Sequence, residues 1–132
     1  MQPDLPRLEE LLREAWAARE KAYAPYSGYR VGAALLGEGG RMYRGCNVEN
    51  AAYPATVCAE RTALLSAVAD GERRFVALAV VAGGPHPPAP CGLCRQALAE
   101  FGKNLVVIAQ KDRGEDYVVF SLEDLFPAPF RL

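Results

Sequence analysis

An α/β domain, with a five-stranded mixed sheet held between helical layers, is the architecture this sequence predicts. Three observations lead there. The apolar period alternates between helical and extended, in the order helix, strand, strand, helix, strand, helix, strand, strand. Two short runs, 75–82 (FVALAVVA) and 105–110 (LVVIAQ), are continuously apolar, as strands covered on both faces are. The later helices stand in crossover positions, so a sheet between helical layers is the economical way to bury every apolar face.

The elements follow in order. Within residues 5–22, Leu5, Leu8, Leu11, Leu12, Ala15, Ala18 and Ala22 recur at spacings of three and four with charges between them, the pattern of an amphipathic helix, which Pro25 closes. After the turn-forming residues 25–28, residues 29–36 read as a strand, 37–40 as a hairpin turn and 41–46 as its partner. Ala59–Ala69 (AERTALLSAVA) is a strong helix former, ended by Asp70-Gly71. The run 75–82 leads into a loop, 83–90 (GGPHPPAP), whose four prolines in eight residues exclude a helix interior and most ladder positions. The next helix, residues 92–101, is therefore entered through Cys91. A second buried strand at 105–110 and a shorter one at 116–120 precede Ser121, which can cap a last turn over 122–126. No repeat, low-complexity tract or linker divides the 132 residues, so one domain spans 1–132.

Composition narrows the function. Hydrophobic residues at 51% and charged residues at 23% exclude disorder for the bulk of the chain. Fifteen Lys and Arg against sixteen Asp and Glu leave no polybasic field for nucleic acid or anionic lipid, and the expectation is no nucleic-acid or membrane partner. The opening MQPDLPRLEE is acidic and proline-broken where a signal peptide is basic and then apolar, and no apolar run nears the roughly 18 residues of a membrane span. A cytoplasmic protein acting on a small polar ligand is the expectation.

The chemistry lies in the cysteines. Cys91-Gly92-Leu93-Cys94 puts two sulfurs at a helix N-terminus, where free amides and the helix dipole favour thiolates, as in a redox dithiol or half of a zinc site. Cys58 opens the other helix and can bring a third sulfur to the first two. Three protein ligands with one open position describe a catalytic zinc, whereas a closed structural site takes four. Cys46 is the available fourth, or else a small hydrophobe at a strand end. Glu60, two residues past Cys58, can reach over the metal without ligating it and act as the proton carrier that such a site needs.

The segments Thr56-Val57-Cys58-Ala59-Glu60-Arg61-Thr62-Ala63 and Pro90-Cys91-Gly92-Leu93-Cys94-Arg95-Gln96 together closely resemble the small homotetrameric cytidine deaminases of the cytidine/deoxycytidylate deaminase superfamily. The likeness runs from Ala24-Pro25-Tyr26-Ser27 through Gly45-Cys46-Asn47-Val48-Glu49-Asn50-Ala51 to Phe130. It implies the three-layer α/β/α fold of that family. It also implies hydrolytic deamination of cytidine and 2'-deoxycytidine to uridine and 2'-deoxyuridine with release of ammonia, as in pyrimidine salvage.

By that resemblance one zinc per subunit is held by Cys58, Cys91 and Cys94, and acidifies the water that attacks C4 while Glu60 protonates N3 and the departing amine. Arg61 and Arg95 donate to the sulfurs and offset their excess charge. Asn47 and Glu49, alternating along an extended segment, take the 3'-hydroxyl of the sugar, and the Ala59 backbone orients the pyrimidine edge. Tyr29 stands where the family usually carries a phenylalanine near the base or sugar. Phe130 matches a C-terminal aromatic that reaches a neighbouring subunit's site in a homotetramer. Pro54 replaces a smaller residue in the approach to the site. His86, the only histidine, reads as solvated and Trp16 as packing. Two other readings share the motifs: a deaminase of cytosine-containing nucleoside antibiotics, and a structural zinc protein closed by Cys46.

Overall fold

The computed structural model describes residue 5 and residues 7–102, 104–114 and 116–132. Helix α1 (Leu8–Arg19) is followed by strands β1 (Val31–Gly37) and β2 (Met42–Cys46), helix α2 (Ala59–Ala69), β3 (Phe75–Ala82), α3 (Gly92–Ala99), β4 (Val106–Gln110), β5 (Tyr117–Ser121) and the short α4 (Leu122–Leu125). Among the described residues no helix is long and apolar enough to cross a membrane.

The strands form one five-stranded sheet in the order β2-β1-β3-β4-β5. Only β3 and β4, joined through α3, run parallel; the other neighbours are antiparallel. The mixed sheet expected from the sequence is therefore present. Side-chain alternation divides its faces. Ala33, Leu35, Leu78, Val80 and Val107 meet α2 and α3, whereas Ala34, Leu36, Ala79, Val81 and Ile108 meet α1. Both faces of β3 are covered, which is why its sequence shows no alternation.

Two glycines let the helices lie directly on the strands. A Cβ on Gly32 would stand 2.1 Å from the Ala15 carbonyl of α1, and one on Gly45 would stand 2.3 Å from the Ala59 carbonyl of α2. The second contact seats the start of α2 on the end of β2.

The boundaries differ from the sequence reading where local bonds intervene. The expected helix over 5–22 is α-helical only from Leu8 to Arg19, because Arg7 takes a left-handed conformation (φ 55°). Beyond Arg19 the chain tightens, with Lys21 N bonded to Ala18 O and Ala22 N to Arg19 O. β1 begins at Val31 instead of residue 29, since the Asn47 side chain occupies the backbone there, accepting from Val31 N at 2.9 Å and donating to Tyr29 O at 2.7 Å. Residues Tyr53–Ala55 form a 3-10 turn around Pro54, an element that the sequence analysis did not assign. Ser121 caps α4 as expected, its hydroxyl accepting from Asp124 N at 3.0 Å. Trp16 is packing, its indole donating to Gln110 Oε1 at 2.6 Å beneath α1, and His86 is exposed.

Candidate active site

The residues that cap α2 and α3 are both cysteines. Cys58 and Cys91 hold extended backbone at the N-cap positions, and each carbonyl starts its helix by accepting from a residue four further on, Thr62 N and Arg95 N. Cys94 lies in the first turn of α3 and is fully buried. The Sγ atoms of Cys58, Cys91 and Cys94 all lie within 4.8 Å of one another. Cys58 is 3.9 Å from Cys91, which is 3.5 Å from Cys94.

That donor set fits a metal. Tetrahedral zinc with sulfur at about 2.3 Å sets neighbouring sulfurs about 3.8 Å apart, and the two observed separations fall on either side. Cys46 is outside the cluster; it sits at the end of β2, where burial pushes its thiol pKa up. A closed four-sulfur site is thus absent among the described residues.

Without a metal, the negative charge of this cluster settles on one sulfur. The Cys94 thiol donates to Cys58, and with Arg61 and Cys91 it draws the Cys58 pKa down to about 5 against the effect of burial, while Cys94 itself is pushed well up. Arg61 Nη2 lies 3.5 Å from Cys58 Sγ, as expected of the arginine beside the glutamate. Its Nε is buried and meets no acceptor among the described residues. Arg95 behaves differently from the expectation. It meets no sulfur: Nε donates to Pro90 O at 2.7 Å and Nη1 to Leu125 O at 2.8 Å. One residue past Cys94, its side chain leaves α3 toward the loop before Cys91 and the turn of α4, so it braces those segments instead.

Glu60 occupies the first turn of α2 and is only 5% exposed. Burial raises its carboxyl pKa to about 7, and the charge on Cys58 adds to the rise, while its own backbone N–H, Cys94 and Arg61 oppose it. Tyr29 lies near enough to feel that carboxylate, its phenol pKa raised first by burial and then by Glu60. The N–H of Ala59, the first residue of α2, belongs to the turn whose amides have no helical acceptor.

Asn47 and Glu49 both reach toward residues 26–31, in keeping with their alternation. Both ends of the Asn47 amide engage backbone there, leaving one N–H of the NH₂ group for another partner. Glu49 accepts from Tyr26 N at 2.9 Å, from Ser27 N at 3.1 Å and from the Ser27 hydroxyl, so it also organises the turn. Tyr26, Ser27, Glu49, Tyr53 and Thr56 line a cleft of about 380 Å³. A larger one, about 580 Å³, lies between α1 and the turn after β4 and holds none of the site residues; the chemistry, not the volume, marks the site. Phe130 is 70% exposed, its backbone clamped to α3 by Gln96, which accepts from Phe130 N and donates to Phe130 O, both at 3.0 Å.

Sequence reasoning missed Ser27, Gln96 and the Tyr26–Tyr53 ring pair, whose centroids are 5.9 Å apart. Each acts through fold-dependent contact, and none carries a metal-ligand or acid/base signature.

Comparison with known proteins agrees with the geometry. Residues 6–110 match the model of the cytidine and deoxycytidylate deaminase zinc-binding region. A cytidine deaminase of Sporosarcina psychrophila is 49% identical over 123 residues, 93% of this chain and 90% of that protein. The crystal structure of a cytidine deaminase from Burkholderia pseudomallei superposes with a TM-score of 0.87 at 51% identity, covering 92% of this chain and 98% of that one. A cytidine deaminase structure from Mycobacterium tuberculosis gives 0.82 at 39%, covering 98% of this chain and 100% of that one.

Proposed function

The chain belongs to the cytidine and deoxycytidylate deaminase family, and from that membership we propose that it converts cytidine and 2'-deoxycytidine to uridine and 2'-deoxyuridine, releasing ammonia. The observation that carries this reading is the convergence of three cysteine sulfurs from two helix N-termini beside the buried Glu60. A closed structural site has no use for such a carboxyl.

Cys58, Cys91 and Cys94 would hold one zinc in each subunit. When bound, zinc supplies a Lewis acid that makes water a competent nucleophile near neutral pH. Glu60 takes the proton that water gives up on adding to C4 and delivers it to N3. It then moves the hydroxyl proton to the amino group, which leaves as ammonia, so the atoms of cytidine and water reappear as uridine and ammonia. Burial, which raises the pKa of this carboxyl, suits a group that must both take and give that proton. Arg61 offsets the negative charge of the sulfurs. The free N–H of Asn47 and the Glu49 carboxylate take the 3'-hydroxyl, the Ala59 amide meets the pyrimidine edge, and Tyr29 borders the base. The Glu49 charge disfavours a 5'-phosphate and so favours nucleosides over nucleotides.

Tyr23 pairs with Val48 and Tyr26 stacks edge-on against Tyr53, all four exposed, and Leu93 in the first turn of α3 is exposed as well. Such a surface is apolar enough to support a homotetramer in which Phe130 enters a neighbour's site. The whole chain works as one cytoplasmic catalytic domain, a compartment in which its four unpaired thiols stay reduced.

The test is the fall in ultraviolet absorbance when zinc-loaded protein meets cytidine, with ammonia read in parallel and Glu60→Gln as control. Turnover with equimolar ammonia, absent in the control, is expected. No turnover with zinc bound would overturn the reading, and activity on cytosine-containing antibiotics alone would redirect it.

A further inference from the structure

The groups assigned to the sugar and those assigned to the base sit on different segments. Asn47 and Glu49 follow β2, whereas Cys58 and Glu60 begin α2. A nucleoside spans both, so their offset must hold to a fraction of an ångström.

Contacts on either side of Asn47 set that offset, and beyond them Asn50 N donates to Thr56 Oγ1 at 3.2 Å. Val48 N donates to Val57 O at 2.9 Å, and Val57 N to Val48 O at 3.0 Å, which ties the middle of the sugar segment to the residue before Cys58. The second contact uses a side chain. Thr62 Oγ1 lies 2.8 Å from the Cys46 carbonyl and 2.8 Å from the Ala59 carbonyl, so its single proton is shared between the end of β2 and the first turn of α2. Gly45 makes room for this, because a Cβ there would lie 2.6 Å from that same hydroxyl oxygen. Asn47 therefore stands between two clamps, at Cys46 and at Val48.

We propose that Thr62 is a positioning residue for the reaction, its hydroxyl fixing the distance between the sugar-binding Asn47 and Glu49 and the acid/base group Glu60. This rests on the reading of Asn47 and Glu49 as ribose ligands. A helix needs no hydroxyl at its fourth residue, and a valine would fill the same space. Removing the hydrogen bond frees the Cys46 carbonyl, and the sugar segment drifts relative to α2 while the zinc cysteines stay.

The test compares cytidine with 3'-deoxycytidine on zinc-loaded wild-type, Thr62→Val and Thr62→Ser proteins, with zinc content measured on each. Wild type prefers cytidine. Thr62→Val is expected to keep its zinc, to lose about tenfold in kcat/KM on cytidine and to lose little on 3'-deoxycytidine, so that the preference collapses; Thr62→Ser restores it. Should Thr62→Val not fold, Thr62→Ala carries the same comparison. Equal losses on both substrates, or an unchanged preference, would overturn the proposal while leaving the ribose reading intact. A wild-type enzyme indifferent to the 3'-hydroxyl would overturn both.

Discussion

Glu60 holds its proton far more tightly than a surface carboxyl because α2 buries it beside a thiolate, and the side chain that replaces it decides what remains. Glutamine keeps the volume and removes the group proposed to carry the proton. Glu60→Gln is expected to bind zinc as the parent does and to lose about 10²–10⁴ in kcat. Metal analysis beside steady-state rates checks this, and retained turnover would remove Glu60 from the proton path. Glu49 presents the opposite electrostatics. The Ser27 hydroxyl, followed by the backbone amides of Ser27 and Tyr26, holds its carboxyl below the ordinary 4.5. A carboxylate whose folded pKa is depressed adds stability that is complete above 4.5 and disappears as pH falls through the folded value. Glu49→Gln should therefore lower Tm at pH 7, and the gap to the parent should close on acidification. A gap that widens in acid would show that the 26–27 turn does not depend on that charge.

Among the elements, α1 and α2 approach the sheet through glycines of the same kind but with different consequences. Gly45→Ala forces a methyl to 2.3 Å from Ala59 O and 2.4 Å from Ala63 N, so α2 must lift, taking Cys58 away from Cys91 and Cys94. Gly32→Ala lifts α1, which carries no ligand. Both should cost about 1–3 kcal/mol in urea unfolding, but only Gly45→Ala should weaken zinc retention against a chelator. Equal retention would mean that α2 moves as freely as α1. The same comparison explains what could be read from sequence. The helices and central strands were legible because their apolar periods are uninterrupted, and the clustered Cys58, Cys91 and Cys94 because their residue type and helix-start positions suit a metal. Asn47 closing the start of β1, and Arg95 turning to Pro90 and Leu125 instead of to sulfur, were not legible. Tyr29, Val31 and Leu125 are far from their partners in sequence, and an arginine beside a cysteine looks the same whichever way it leaves the helix.

At the scale of the whole molecule, the C-terminal segment carries an exposed aromatic ring. Gln96 grips the backbone of Phe130 at both its N–H and its carbonyl, which holds the ring outward from α3 with 70% of the residue exposed. A large apolar ring so firmly aimed at solvent serves a single subunit poorly, but it suits a symmetric assembly in which each copy completes another's site. Subunit mixing separates the two cases. Phe130→Ala subunits keep Glu60 and lack the ring, while Glu60→Gln subunits keep the ring and have no proton carrier. If Phe130 acts across the interface, co-expressing the two poorly active variants creates sites with an intact Glu60 beside a neighbour's intact Phe130, about a quarter of the total for random pairing. Activity should then exceed that of either variant alone and rise with their mutual dilution toward equal proportions. If the ring serves its own subunit, every site in the mixture lacks one group or the other, and activity can only average the two parents. Activity no higher than that average, in an assembly shown to contain both variants, would place Phe130 outside its neighbour's site.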